Sequence, residues 1–180
     1  MYVSQNDISG LELYKFTTHS DFRGTFSRFP PKFYEDLENE SYFATALNID
    51  AFTLRGLHSQ TKESPEIKRV FCITGRIYDV VVDLREDSKT FGNWTSITLG
   101  PMELVNGIKV PTGCAHGYLT LDANTAVLYR IDGRYAPKFA FNIKWDDPIF
   151  SIDWPVKPIK ISNQDISINY LTESRFQKEK

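Results

Sequence analysis

The sequence predicts an all-β fold of the sandwich or barrel type, with short helices at its margins. Strand-favouring residues dominate from position 43 to 130. Strand signals recur roughly every eight to twelve residues with Gly-, Asn- or Pro-containing turns between them, a spacing that suits a sandwich or barrel better than alternating β and α units. Helical patterns are short and confined to the two ends.

In chain order, PPKFYEDLENE (30–40) is the first helical candidate. The stretch RVFCITGRIYDVVVDLR (69–85) holds two β-rich runs separated by Thr74-Gly75, which reads as a hairpin. NWTSITLG (93–100) alternates as a strand and is stopped by Pro101. NGIKVPTGCAHGYLTL (106–121) and TAVLYRIDG (125–133) supply further short strands, and NQDISINYL (163–171) is the second short helical candidate. No internal repeat is visible.

At 180 residues the chain suits one domain, 1–180, since chains of this size bury roughly 70% of their unfolded surface. Its 41% hydrophobic and 14% aromatic content suffices for a core and argues against disorder. The net charge of −2 with dispersed basic residues disfavours nucleic acid as a partner. Neither a signal peptide nor a membrane-length apolar run is seen, so the expected location is the cytoplasm with no membrane partner. Cys72 and Cys114 lie in apolar contexts and read as buried free thiols.

Three histidines are present. His19, in TTHSDFRG, reads as an exposed turn or strand-end residue. His58 and His116 each lie beside turn residues at a strand end, in RGLHSQ and PTGCAHGY, which suggests a shared site. PTGCAH (111–116) has the P-x-G-x-x-H spacing of the second cupin motif, a turn entering a strand of a double-stranded β-helix. Metal-binding cupins pair that motif with H-x-H and a downstream Glu. Here the matching place reads His58-Ser59-Gln60, and two imidazoles with Glu66 make a poor ligand set for Fe or Zn. The expectation is no metal.

Proton transfer is the alternative chemistry, because a histidine titrates near neutrality and can act as a base without extreme tuning. A base needs an orienting carboxylate, for which Asp83 and Asp165 are candidates. An epimerising site also needs an acid on the opposite face. Tyr129 could serve, sharing a strand face with Val127.

Six ordered blocks sharpen this reading: DFRGTF, LRGLHSQ, IKRVFCITGRIYDVVVDLREDSKTFGNW, VPTGCAHGYL, YAPKFAFNIKWDDPIFSIDWP and ISNQD. Together, from about residue 8 to 166, they resemble the dTDP-4-dehydrorhamnose 3,5-epimerase family. The resemblance implies a cupin-type jelly roll (a double-stranded β-helix), a homodimer that exchanges strands, no metal or organic cofactor, and a place in deoxysugar biosynthesis. The implied substrate is a nucleotide-diphosphate-linked 4-keto-6-deoxy-hexose. Its keto group acidifies the C3 and C5 protons, so that abstraction and reprotonation on the other face invert those centres. By resemblance His58 is the base, Asp165 its orienting carboxylate and Tyr129 the acid, which leaves Asp83 the weaker orienter. Lys68 and His116 match groups close to the sugar, Arg55 and Arg23 match clamps for the anionic diphosphate, and Tyr135 matches a ring that stacks on the base. Phe26, Arg28 and Asn48 complete the implied substrate-binding set. Blander readings stand beside three of these: Lys68 as a solvated strand residue, Arg55 as a surface ion pair and Tyr135 as core.

The chain departs from the family pattern mainly at the nucleotide end. Arg28 and Ala140 stand where glutamates are usual, Gln164 replaces a basic residue, Leu47 occupies a place where a polar residue is common, and the loop between Asn48 and TLRGLH is shorter. An acceptor exchanged for a donor at Arg28 reverses the hydrogen bonds available to a base edge, so a CDP- or GDP-linked sugar is a second expectation. The same residues also admit inversion at one centre or ketoisomerisation on the same scaffold, a metal-dependent cupin, and a sugar-binding module that has lost catalysis. The last would lack His58 or Tyr129, and both are present.

Overall fold

The computed structural model describes residues 8–29, 31–34, 37 and 40–172. Its strands are β1 (Glu12–Tyr14), β2 (Thr18–Asp21), β3 (Gly24–Ser27), β4 (Ser41–Asn48), β5 (Thr53–Gln60), β6 (Ile67–Thr74), β7 (Ile77–Asp83), β8 (Trp94–Leu99), β9 (Gly107–Val110), β10 (Cys114–Thr120), β11 (Thr125–Asp132), β12 (Ala140–Asn142) and β13 (Lys160–Ile161). One helical turn, α1 (Asn163–Ile166), follows, and 3₁₀ turns occupy Pro31–Phe33 and Pro137–Phe139.

The strands form the predicted all-β jelly roll. One sheet runs β1-β9-β6-β11-β4 and the other β12-β5-β10-β7-β8, with β13 added in parallel to β5. The β2–β3 hairpin stands apart as its own two-stranded ribbon.

Burial on both faces explains the consecutive valines Val80–Val82 of β7. Because successive side chains of a strand point to opposite faces, Ile77 and Val81 enter the core between the sheets, with Val70, Cys72 and Val127. Val80 and Val82 enter a second core on the other face, closed by Ile143 and Phe150. Each fully buried aliphatic side chain contributes roughly 1.5–3 kcal/mol. On the outer face of β6, Phe71 is covered by Tyr14, Phe16, Phe29 and Phe33.

Two expectations are corrected. Thr74-Gly75 does not close a hairpin: β6 pairs with β9 and β11, whereas β7 pairs with β8 and β10, so the turn carries the chain from one sheet to the other. Gly75 is required there, with φ at 71° and a built Cβ falling 2.3 Å from Thr125 Oγ1. Turn chemistry reports a reversal, not which strand becomes the neighbour. The second helical candidate shrinks to α1, after which Tyr170 and Leu171 are drawn to the acidic turn at Asp146 and Asp147. Among the described residues of the first candidate a 3₁₀ turn forms at Pro31–Phe33, and the candidate's residues 30, 35, 36, 38 and 39 lie outside the described residues. Cys72 and Cys114 are free and buried as expected, and burial pushes each thiol up to about 12.

Candidate active site

Strand β5 supplies the framework of the site through an irregularity. Its Arg55 stands opposite Tyr118 and its His58 opposite His116, so three steps on β5 match two on β10. Residues three apart on a regular strand face opposite ways. The extra residue is a β-bulge that re-aims the strand, and Arg55 and His58 consequently line the same cavity. Gly56 makes the bulge feasible. Its φ is 121°, and a built Cβ would sit 2.6 Å from Gly117 Cα and 2.9 Å from the His116 carbonyl. The R-G-L-H motif is therefore a geometrical device as well as a set of side chains.

The cavity has a volume of about 690 Å³ and opens between β5, the inner faces of β4 and β11, and α1. His58 Nε2 lies 2.7 Å from Asp165 Oδ1. Asp165 is positioned by α1, whose N-cap Ser162 accepts a hydrogen bond from the Asp165 backbone N–H at 3.0 Å. Burial raises the Asp165 carboxyl, but the His58 hydrogen bond and charge, the Ser162 hydroxyl and the Gly56 backbone outweigh it, and the pKa lies below the ordinary value. An ionised carboxylate only accepts, so in the neutral imidazole the proton sits on Nε2 and the lone pair on Nδ1.

His116 Nε2 contacts Asp79 Oδ2 at 2.8 Å, and both side chains are enclosed. Burial raises Asp79 and outweighs its attraction to His116. Lys68 donates to the His58 carbonyl at 3.0 Å and pairs with Glu66 at 2.9 Å. Glu66 also accepts from Gln60 Nε2 at 3.0 Å, so the residue considered as a third metal ligand is held by a cation and an amide. Tyr129 lies edge-on to His116. Burial, reinforced by the neighbouring Tyr118 and Asp79, holds its hydroxyl well above the ordinary phenol value. A neutral phenol at physiological pH can give a proton but not take one.

At the mouth, Arg55 Nε donates to Asn48 Oδ1 at 2.8 Å. Tyr135 is largely exposed, on a loop tied down by Gln60, which accepts from the Ala136 N–H at 3.0 Å and donates to the Arg134 carbonyl. Ala140 and Gln164, two of the departures from the family pattern, also line the cavity.

His58, Tyr129, Asp165, Arg55, Lys68, His116 and Tyr135 thus line one cavity, with Asn48 behind Arg55. Three candidates do not join them. Arg23, Phe26 and Arg28 belong to the exposed β2–β3 hairpin, where Arg23 pairs with Asp21 and Arg28 lies over the Phe26 ring. His19 is exposed on the same hairpin. Asp83, the weaker orienter, instead binds Arg85, Ser88 and Thr90.

Sequence reasoning misses Asp79, Gln60 and Tyr118 as members of the site's polar lining and its support, and weighs Glu66 only as a metal ligand. A signal exists for two of them. Asp79 shares its strand face with Ile77 and Val81, and an acid among inward-facing aliphatics needs a partner. Tyr118 follows His116 by two residues and shares its face.

The model of dTDP-4-dehydrorhamnose 3,5-epimerase matches residues 5–173. The dTDP-4-dehydrorhamnose 3,5-epimerase of Sinorhizobium fredii is 35% identical over 166 residues, 86% of this chain and 81% of that protein. Among solved structures, the dTDP-4-dehydrorhamnose 3,5-epimerase of Bacillus anthracis with TDP and PPi bound superposes with a TM-score of 0.79 at 31% identity, over 91% of this chain and 95% of that one. The dTDP-6-deoxy-D-glucose-3,5-epimerase of Legionella pneumophila in complex with dTDP-4-keto-L-rhamnose gives 0.76 at 31% identity, over 93% and 89%. Fold, motif order and these likenesses agree: the chain belongs to the dTDP-4-dehydrorhamnose 3,5-epimerase family.

Proposed function

We propose that this protein epimerises a dTDP-linked 4-keto-6-deoxy-hexose at C3 and C5 by proton transfer between His58 and Tyr129. The observation that carries the reading is the lining of a single cavity by a carboxylate-oriented imidazole, His58–Asp165, and a neutral, partly buried phenol, Tyr129. Such a pair can remove a proton from one face of a carbon and return one to the other. The TDP of the Bacillus structure and the dTDP-4-keto-L-rhamnose of the Legionella structure support the choice of substrate class.

In this mechanism His58 takes the C–H proton and becomes imidazolium beside the Asp165 carboxylate. The electron pair moves onto the 4-keto oxygen as an enolate. Lys68 and His116 are the cationic and imidazole groups available to that oxygen, and donors placed where charge develops can supply several kcal/mol in a water-excluded site. Tyr129 then gives its proton to the carbon from the opposite side, and the ketone re-forms. Exchange with solvent returns His58 and Tyr129 to their starting states.

Arg55 and Tyr135, at the mouth, are assigned to the diphosphate and the base. The substrate-binding role of Arg23, Phe26 and Arg28 needs a homodimer in which the hairpin of one protomer reaches the site of its partner. Two features support it: the hairpin exposes Phe22 and Phe26, and the outer face of edge strand β4 exposes Phe43 and Leu47. Among the described residues no helix is long and apolar enough to cross a membrane, and we assign the reaction to the cytoplasm.

Incubation with dTDP-4-keto-6-deoxy-glucose in deuterated water tests the reading. Deuterium at C3 and C5 of an inverted product is expected. Label at C3 alone would make this a single-centre epimerase, and the absence of any label would refute the assignment. Thermal-shift ranking of dTDP, UDP, CDP and GDP tests the nucleotide, with dTDP expected to stabilise most. A larger shift with CDP or GDP would instead tie Ala140 and Gln164 to a changed base.

A further inference from the structure

We propose that Gln60 is a positioning residue for the nucleotide end of the site: its side-chain amide spans the loop that carries Tyr135 and ties that loop to the buried Glu66–Lys68 pair. This role rests on Tyr135 being the ring that meets the base.

Tyr135 is 67% exposed, so packing does not fix its ring, and its direction comes from the backbone on either side of it. Gln60 ends β5, pairs with Ala140 of β12 beyond that loop, and is buried. From there its side chain reaches both neighbours of Tyr135. Its Oε1 accepts from the Ala136 N–H at 3.0 Å, and its Nε2 donates to the Arg134 carbonyl at 3.3 Å and to Glu66 Oε2 at 3.0 Å. A backbone N–H only donates, whereas a carbonyl and a carboxylate only accept, so the amide has one admissible orientation. Ser64 Oγ also donates to the Arg134 carbonyl, at 3.2 Å in an exposed contact. The contacts specific to Gln60 are therefore those with Ala136 and Glu66.

The anchor at the other end is stiff. Glu66 Oε1 pairs with Lys68 Nζ at 2.9 Å, and Lys68 also donates to the His58 carbonyl at 3.0 Å, so both are tied to the strands β5 and β6. The Lys68 and Glu66 side chains are both enclosed. A hydrogen bond to a charged group is stronger than a neutral one, and Gln60 passes this fixity on to the loop. A loop held in its binding conformation loses less entropy when the nucleotide arrives.

Gln60→Met keeps the length of the side chain and removes the amide without changing its charge. Two ligands are titrated calorimetrically: dTDP, which reaches the base end, and inorganic pyrophosphate, which does not. Affinity for dTDP should fall roughly tenfold, the size expected for hydrogen bonds lost from a part-buried loop, while that for pyrophosphate stays within about twofold. A general loosening of the fold would weaken both alike and would overturn the role. In a Tyr135→Ala background Gln60→Met should cost dTDP less than about twofold, since the ring it positions is gone. A full tenfold loss there would overturn it as well.

Gln60→Glu provides a second arm that stands even if Gln60→Met fails to fold. It sets an acceptor against Glu66, so dTDP affinity falls. Adding Glu66→Gln restores a donor between the two positions, and the pair should recover at least about threefold of that affinity. A double variant no better than Gln60→Glu alone overturns the role. If Tyr135→Ala weakens dTDP binding and the folded Gln60 variants do not, the positioning role falls and the assignment of Tyr135 to the base stands. If the wild type binds pyrophosphate but not dTDP, or Tyr135→Ala binds dTDP as the wild type does, both fall.

Discussion

His58 and His116 stand directly opposite one another on β5 and β10, yet they address carboxylates on different elements, Asp165 of α1 and Asp79 of β7. Their accessibility separates their roles. The His58 side chain is 44% exposed and can meet a substrate and then shed its proton, whereas that of His116 is 5% exposed. The carboxylates diverge too. Asp165 lies below its ordinary pKa because hydrogen bonds outweigh burial, and Asp79 lies above it because burial prevails. The exposed pair suits the proposed proton cycling, and the enclosed pair suits holding a polar group in place between the sheets.

Replacing Asp165 by Asn tests the first pair. The amide removes the charge that stabilises the imidazolium and can present an N–H to the ring, which favours the tautomer with its proton on the wrong nitrogen. The expected loss in kcat is about two to four orders of magnitude, in line with general-base catalysis and its orienting carboxylate. Deuterium exchange should fall in parallel. Exchange at the wild-type rate would remove His58–Asp165 from the proton-abstracting step.

Tyr129→Phe should separate the two half-reactions. His58 can still remove and return a proton, so label enters the recovered substrate, but the opposite face has lost its acid. Inversion is expected to drop at least about 100-fold, the lower range for a positioned general acid. Product stereochemistry by NMR, compared with label content by mass spectrometry, checks it. Loss of exchange and inversion in equal measure would mean that Tyr129 also takes part in abstraction.

The buried Asp83 carries a stability prediction with a defined pH window. Burial raises its carboxyl, but Arg85, Ser88 and Thr90 outweigh this and hold it down at about 2. The folded value lies below the ordinary 3.8, so the contribution is fully present above that value and is lost as pH falls toward 2. Asp83→Asn should cost about 2 kcal/mol at neutral pH, as for a lost set of hydrogen bonds to a charged group. Its melting temperature should also decline less steeply than that of wild type as the pH is lowered from about 5 to about 3, a comparison that calorimetry makes directly. Turnover per folded molecule should hold, because Asp83 does not line the cavity.

The legible parts of the sequence are those where one residue determines its own surroundings. A run of strand signals suffices for the all-β class. Side-chain chemistry narrows the site to His58 or His116, Asp83 or Asp165, and Tyr129 as a candidate acid, and it is the resemblance carried by the ordered blocks that assigns the roles to His58, Asp165 and Tyr129. What stays hidden depends on pairing between distant strands. The Thr74-Gly75 signal predicts a reversal correctly and a hairpin wrongly, since only the inter-sheet packing of β6 and β7 decides their neighbours. Asp79 signals by its inward-facing position that it needs a partner, but that the partner is His116 of β10 is decided only by the pairing of β7 with β10. The hairpin residues Arg23, Phe26 and Arg28 resemble site residues in sequence but do not line the cavity of their own chain.

Gly56 gives the sharpest test of how backbone and chemistry are joined. It lies between the two functional side chains of β5, at the bulge that brings Arg55 and His58 to the same cavity. At a φ of 121° any side chain is strained, and the contact partner is the Gly117 backbone, 2.6 Å from a built Cβ, which cannot move aside as a flexible side chain could. Gly56→Ala should therefore destabilise the fold by about 3 kcal/mol or more, the sum of backbone strain and a clash in the packed interior. In the surviving folded fraction, separating β5 from β10 should misplace His58 and lower kcat more than about tenfold, a sensitivity expected where small displacements misalign reacting groups. Gly92→Ala provides the control. Its φ is also positive, at 78°, but nothing lies within 4 Å of the added carbon, so it should show only the backbone strain and normal kcat. Chemical denaturation and steady-state rates of the two variants check this, and equal behaviour would mean that the close approach of β5 and β10 does not position the base.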